Sequence, residues 1–61
     1  AEMVAVYNKG LEYYRRRELE NALREFERVL VLKPGDKPSE MYIKRSQHLM
    51  KGLKPDWDEA V

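Results

Sequence analysis

The side chains best suited to chemistry in this chain are one histidine (His48), the run Arg15-Arg16-Arg17, the tyrosines Tyr7, Tyr13, Tyr14 and Tyr42, and two serines, Ser39 and Ser46. A zinc site needs three or four nitrogen, sulfur or carboxylate ligands, commonly several Cys or His. With one His and no Cys, His48 is expected to be a solvated ring beside an apolar helix face. Neither serine has a histidine and a carboxylate arranged to activate it as a nucleophile. No glycine-rich loop is present to cradle a phosphate. The arginine run can contact phosphates, which makes weak nucleic-acid binding through Arg15, Arg16 and Arg17 the alternative reading. Positive charge at the end of a helix also offsets the helix dipole, and Glu18 and Glu20 follow at once. Glu20 and Arg24 stand four apart, the spacing of an exposed ion pair worth only about 0.2–0.5 kcal/mol. Tyrosines at helical spacing are more often packing residues than stacking platforms for bases, and the charge balance offers no electrostatic funnel.

Length and charge bound what can hold these residues in place. A chain of 61 residues forms one small domain, which removes only roughly 60% of its unfolded surface from water. Its core is marginal, and without cysteine no disulfide supplements it; a reducing cytoplasm is the expected compartment. Twelve Lys and Arg stand against eleven Asp and Glu, a net charge of +1 that favours neither phosphate backbones nor anionic lipid. The longest purely apolar run, Val29 to Leu32, is far short of the roughly 20 residues that span a bilayer. Because the chain opens on Ala1 and stops at Val61 just as a new pattern begins, it is expected to be a fragment of a longer protein.

Periodicity predicts an all-α fold. Met3, Val6, Tyr7, Gly10, Tyr13 and Tyr14 recur at spacings of three and four, which predicts a first helix over about 3–16. Leu19, Ala22, Leu23, Phe26, Val29 and Leu30 predict a second over about 18–33. Pro34 restrains Lys33 from helical dihedrals and Gly35 reverses the chain. A third helix is expected over about 38–51, opening at Pro38-Ser39, with Tyr42, Ile43, Ser46, Leu49 and Met50 on one face and a stop at Gly52 and Pro55. Asp56 and Glu59 then resemble a capping box for a short C-terminal helical turn. Trp57 is expected to fold back over Leu49 or Leu53.

The first two helices resemble a tetratricopeptide repeat, a 34-residue helical hairpin with the pattern W-x2-L-G-x2-Y, then A-x3-F, then P. Gly10, Tyr13, Ala22, Phe26 and Pro34 fall on the pattern's Gly, Tyr, Ala, Phe and Pro; Val6 and Lys9 stand at the Trp and Leu places. Arg17 stands where the family often turns on a glycine. The match covers about 3–36 of this single small domain, and the small residues Gly10 and Ala22 predict a close helix crossing. Sliding the third helix by 36 (42 minus 6) puts Tyr42 on Val6 and Ser46 on Gly10, so 37–61 reads as a divergent second repeat or a capping helix.

Asp36, Pro38, Ser39, Tyr42, Arg45 and Asp56-Trp57-Asp58 resemble a second pattern, the C-terminal tail of many bacterial class III adenylate or guanylate cyclases. Ser46 stands where that family often has Cys. The catalytic domain of those enzymes lies upstream of such a tail, so the resemblance implies a non-enzymatic regulatory or assembly segment.

The first helices of tetratricopeptide repeats line a concave groove. Carried onto this chain, that stripe is Val4, Tyr7, Leu11, Tyr14 and Arg15, joined by Ile43, Gln47 and Met50 through the shift of 36. It differs from the stripe through Val6, Gly10 and Tyr13, so the first helix is apolar on two faces. The expected function is protein binding, with self-association as a homodimer or capture of an amphipathic helix of the parent protein, in the cytoplasm. No catalytic group, cofactor, metal, nucleic acid or membrane is expected in it. Coverage of the stripe by the N-terminus or by the Trp57 segment is the competing expectation.

Overall fold

In the computed structural model, which describes residues 2–54, all regular structure among the described residues is helical: α1 (Glu2–Arg15), α2 (Leu19–Leu32) and α3 (Lys37–Met50). The all-α expectation holds, with each helix end displaced by one residue. The expected C-terminal turn and Trp57 lie outside the described residues. No helix among the described residues is long and apolar enough to cross a membrane.

The helix ends follow from local chemistry. α1 stops because Arg17 takes a left-handed φ of 62°, its N–H donating to the Tyr14 carbonyl at 3.0 Å and the Glu18 N–H to the Tyr13 carbonyl at 2.9 Å. These are the paired bonds of a Schellman motif, whose left-handed position usually belongs to glycine and costs another residue about 1–2 kcal/mol. The Arg17 guanidinium lies over the Tyr14 ring, 5.2 Å from its centre, and helps hold the turn. α2 ends at the extended Lys33 (φ −140°, ψ 87°), as the residue before a proline prefers. Gly35 (φ 82°) and the bond from the Asp36 N–H to the Lys33 carbonyl, 3.3 Å, complete a type II turn with Pro34 at its first corner. α3 begins one residue earlier than the Pro38-Ser39 signal implied, because Asp36 is its cap: one carboxylate oxygen accepts from the Ser39 N–H at 3.2 Å and from its hydroxyl at 2.6 Å.

The three-residue and four-residue connections fold each helix back on its predecessor, and α2 packs on both α1 and α3. Val6, Ala22, Phe26 and Val29 form the sealed apolar core, with the small Ser39 and Ser46 fully buried on the α3 side. The close approach expected at Gly10 is made to the Phe26 ring: a Cβ there would stand 2.9–3.1 Å from three of its carbons. A ring that fills the crossing needs a residue without a side chain opposite it. Glu25 lies on the same arc of α2 as Ala22, Phe26 and Val29 and is buried with them, its carboxylate 3.5 Å from the Arg28 guanidinium at the surface.

Two surface expectations change. His48 is half-buried rather than solvated, with a ring nitrogen 3.3 Å from the Lys54 carbonyl, because the chain turns back at Gly52 (φ 77°). Glu20 and Arg24 form no ion pair in the structure. So small a gain does not fix two long exposed side chains.

Candidate functional site

The three helices meet around a cluster of aromatic rings. Phe26 of α2 stacks on Tyr42 of α3 with ring centres 5.1 Å apart and planes 9° from parallel. Tyr7 of α1 meets Phe26 edge-on at 5.6 Å and Tyr42 at 6.4 Å, and Tyr14 meets Tyr42 edge-on at 5.2 Å. Such edge-to-face and offset pairs add about 0.5–1.5 kcal/mol each beyond the area they bury. Tyr42 therefore ties α3 to α1 as well as to α2. Periodicity marked it only as a residue on the apolar face of the third helix.

Beside this cluster lies an open apolar groove of about 260 Å³, lined by Met3, Val4, Tyr7, Val29, Asp36 and Pro38. α1 supplies the first three, α2 the fourth, and the α2–α3 turn with the start of α3 the last two. Tyr7 is held neutral to a higher pH than a free tyrosine, first because burial disfavours the phenolate, then because Tyr42 and the Asp36 carboxylate stand near. Asp36 shifts the opposite way. The Ser39 hydroxyl bond lowers its pKa most, the Ser39 N–H and Lys33 assist, and partial desolvation opposes them. Lys33 Nζ lies 3.7 Å from the second carboxylate oxygen. The groove is thus apolar, with one carboxylate at its rim that is already committed to capping a helix. A second groove, of about 500 Å³, lies between α2 and α3 and is lined by Leu23, Gln47, Met50 and Lys51.

The eight residues of the expected stripe divide between these places. Val4, 53% exposed, and Tyr7 line the first groove; Gln47 and Met50 line the second, where they face Leu23 rather than α1. Leu11 and Ile43 are half-buried, Arg15 is exposed in the last turn of α1, and Tyr14 is drawn into the aromatic cluster. The Tyr14 hydroxyl is buried without a hydrogen-bond partner, as is that of Ser46. The residues sequence reasoning did not assign to the first groove are Met3, Val29, Asp36 and Pro38. Pro38 and Asp36 were legible only as helix punctuation, and nothing local says that a cap will border a groove.

The arginine run is largely engaged within the fold. Arg16 pairs with Glu12 at 2.6 Å and lies 3.9 Å from Glu18, while Arg17 donates to the Tyr14 carbonyl at 3.4 Å and covers its ring. Among the described residues no group of three or more His, Cys, Asp or Glu is placed to hold a metal ion. The chain matches no family model, no curated protein and no solved structure.

Proposed function

We propose that this chain is a protein-interaction module that self-associates, with a tetratricopeptide-like hairpin as its frame. In this reading it serves as a non-enzymatic regulatory or assembly tail of a larger bacterial signalling protein such as a class III nucleotide cyclase. The residues behind the reading are those of the two patterns, Gly10, Tyr13, Ala22, Phe26 and Pro34 for the repeat and Asp36, Pro38, Ser39, Tyr42, Arg45 and Asp56-Trp57-Asp58 for the tail.

The observation that carries the functional reading is the first groove. Its walls are apolar, Val4 is half in solvent, and among the described residues only Val6, Ala22, Phe26 and Val29 are sealed apolar core. Taking such a side chain from fully exposed to fully buried is worth about 1.5–3 kcal/mol, so covering the 53% of Val4 still exposed adds roughly half of that, a sizeable share of the stability of so small a domain. A partner that covers Val4, Tyr7 and Pro38 therefore adds what the chain alone lacks. A second copy across a two-fold axis fits this need, and a helix of the parent protein is the competing occupant. The engaged arginines favour this reading over nucleic-acid binding.

Sedimentation equilibrium tests it. The wild type is expected to associate at high micromolar concentration, and Val4→Glu to weaken that association. Val4 is the better probe than Leu11, since a half-buried Leu11→Glu would also disturb the fold. A wild type that stays monomeric refutes self-association, and a Val4→Glu variant that associates as before removes the groove from the interface.

A further inference from the structure

The outward faces of α2 and α3 complement each other. On a helix turning about 100° per residue, the positions opposite the core of α3 are Lys37, Met41, Lys44, His48 and Lys51. The same construction on α2 gives Glu20, Arg24, Glu27 and Val31. From Lys37 to Lys54 the chain carries five Lys and Arg against one Glu, a local charge of +4 in a chain whose total is +1. Glu20 and Glu27 are exposed and form no ion pair among the described residues, and neither do Lys44 and Lys51. Val31, 80% exposed, is the most exposed large apolar side chain on the molecule's described surface, and Met41 is 38% exposed.

We propose that a second copy of this chain lays the outward face of its α2 antiparallel along the outward face of α3. The inference rests on the reading of the chain as a self-associating module and assigns that association a surface apart from the Val4 groove. The lysines at 37, 44 and 51 allow more than one antiparallel register, and the apolar residues choose between them. Glu20 and Glu27 are seven residues apart, as are Lys44 and Lys51, so both pairs span about 10.5 Å along their helices. Set antiparallel, Glu27 meets Lys44 and Glu20 meets Lys51. Val31 lies four residues past Glu27 and Met41 three residues before Lys44, which brings these two apolar side chains together within about 1.5 Å of axial register. The parallel alignment that pairs Glu20 with Lys37 and Glu27 with Lys44 instead sets Val31 against His48 and Arg24 against Met41.

An acidic helix of another protein would meet the same basic face, but this chain already carries carboxylates at the matching spacing beside an exposed apolar residue. Where α2 and α3 of one copy both meet α3 and α2 of the same partner the contact closes as a two-fold dimer, and where they meet different partners it continues head-to-tail into chains or a ring. Glutamate-to-lysine pairing at an exposed rim also makes the association salt-sensitive.

The test uses sedimentation equilibrium on the full chain with two double variants, Lys44→Glu/Lys51→Glu and Glu20→Lys/Glu27→Lys. All four side chains are exposed, and circular dichroism is used to check that each variant folds. Each variant alone is expected to associate at least about tenfold more weakly than wild type, and an equimolar mixture to regain wild-type strength. Ala5→Glu/Lys9→Glu, exposed positions on α1 whose change adds all but one unit of the same negative charge, is expected to behave as wild type. If wild type associates while both double variants match it, or if mixing restores nothing, the α2–α3 contact is overturned and Val4→Glu still reports on the groove. A wild type monomeric to about 1 mM overturns both.

Discussion

The contact between Gly10 and Phe26 supports a sharp test of the packing. A methyl group at Gly10 would stand 2.9, 3.0 and 3.1 Å from three carbons of the Phe26 ring. Non-bonded carbons settle at about 3.5–4.0 Å, so the ring or the helix must move by roughly half an ångström or more. The ring has little room to move, being fully buried, stacked on Tyr42 at 5.1 Å and met edge-on by Tyr7 at 5.6 Å. Overpacking of this kind costs about 1–3 kcal/mol. Alanine returns up to about 1 kcal/mol through its better helix propensity. The net expectation for Gly10→Ala is a loss of about 1 kcal/mol, which lowers the melting temperature by about 4–8 °C in a domain of this size. Gly10→Leu is expected to lose more, since three further carbons enter the same space. Thermal melts followed by far-ultraviolet circular dichroism, at fixed protein concentration, measure both. A Gly10→Ala protein that melts higher than wild type would refute the reasoning, because propensity would then outweigh a contact the ring could easily yield.

Ser46→Ala is expected to stabilise the fold by about 1 kcal/mol, since the substitution removes a fully buried hydroxyl without a partner and improves helix propensity; a melt that drops instead would mean the hydroxyl is satisfied in solution. Asp36 carries a pH dependence. Its folded-state pKa lies below the unfolded value, so the stabilisation from its cap is fully present above about pH 4 and fades as pH falls through the lower folded value. Melting temperatures of wild type and Asp36→Asn, followed from neutral pH to pH 2, should converge below pH 4, and an unchanged difference across that range would exclude the carboxylate as the titrating group.

Much of the fold is written locally. Pro34-Gly35 has to end α2 because a proline bars its predecessor from helical dihedrals and glycine accepts the φ of 82° that the turn requires. Asp36, Pro38 and Ser39 have to start α3, and the spacings of three and four around Val6, Ala22, Phe26 and Val29 fix which side of each helix is apolar. Those are properties of one turn of chain at a time. The repeat resemblance placed Tyr7 and Tyr14 on a stripe apart from Val6, Gly10 and Tyr13, but such a placement orients a residue only about its own helix axis. Which faces meet, and at what offset, depends on how far α1, α2 and α3 slide along one another, and only packing settles that. Tertiary structure alone brought Tyr7, Tyr14, Phe26 and Tyr42 into one cluster, set Gly10 against a ring, and separated Gln47 and Met50 from Val4. It also left Arg17 in a left-handed turn that glycine would fill without strain, because the Schellman bonds closing α1 and the Tyr14 ring beneath the guanidinium hold it there.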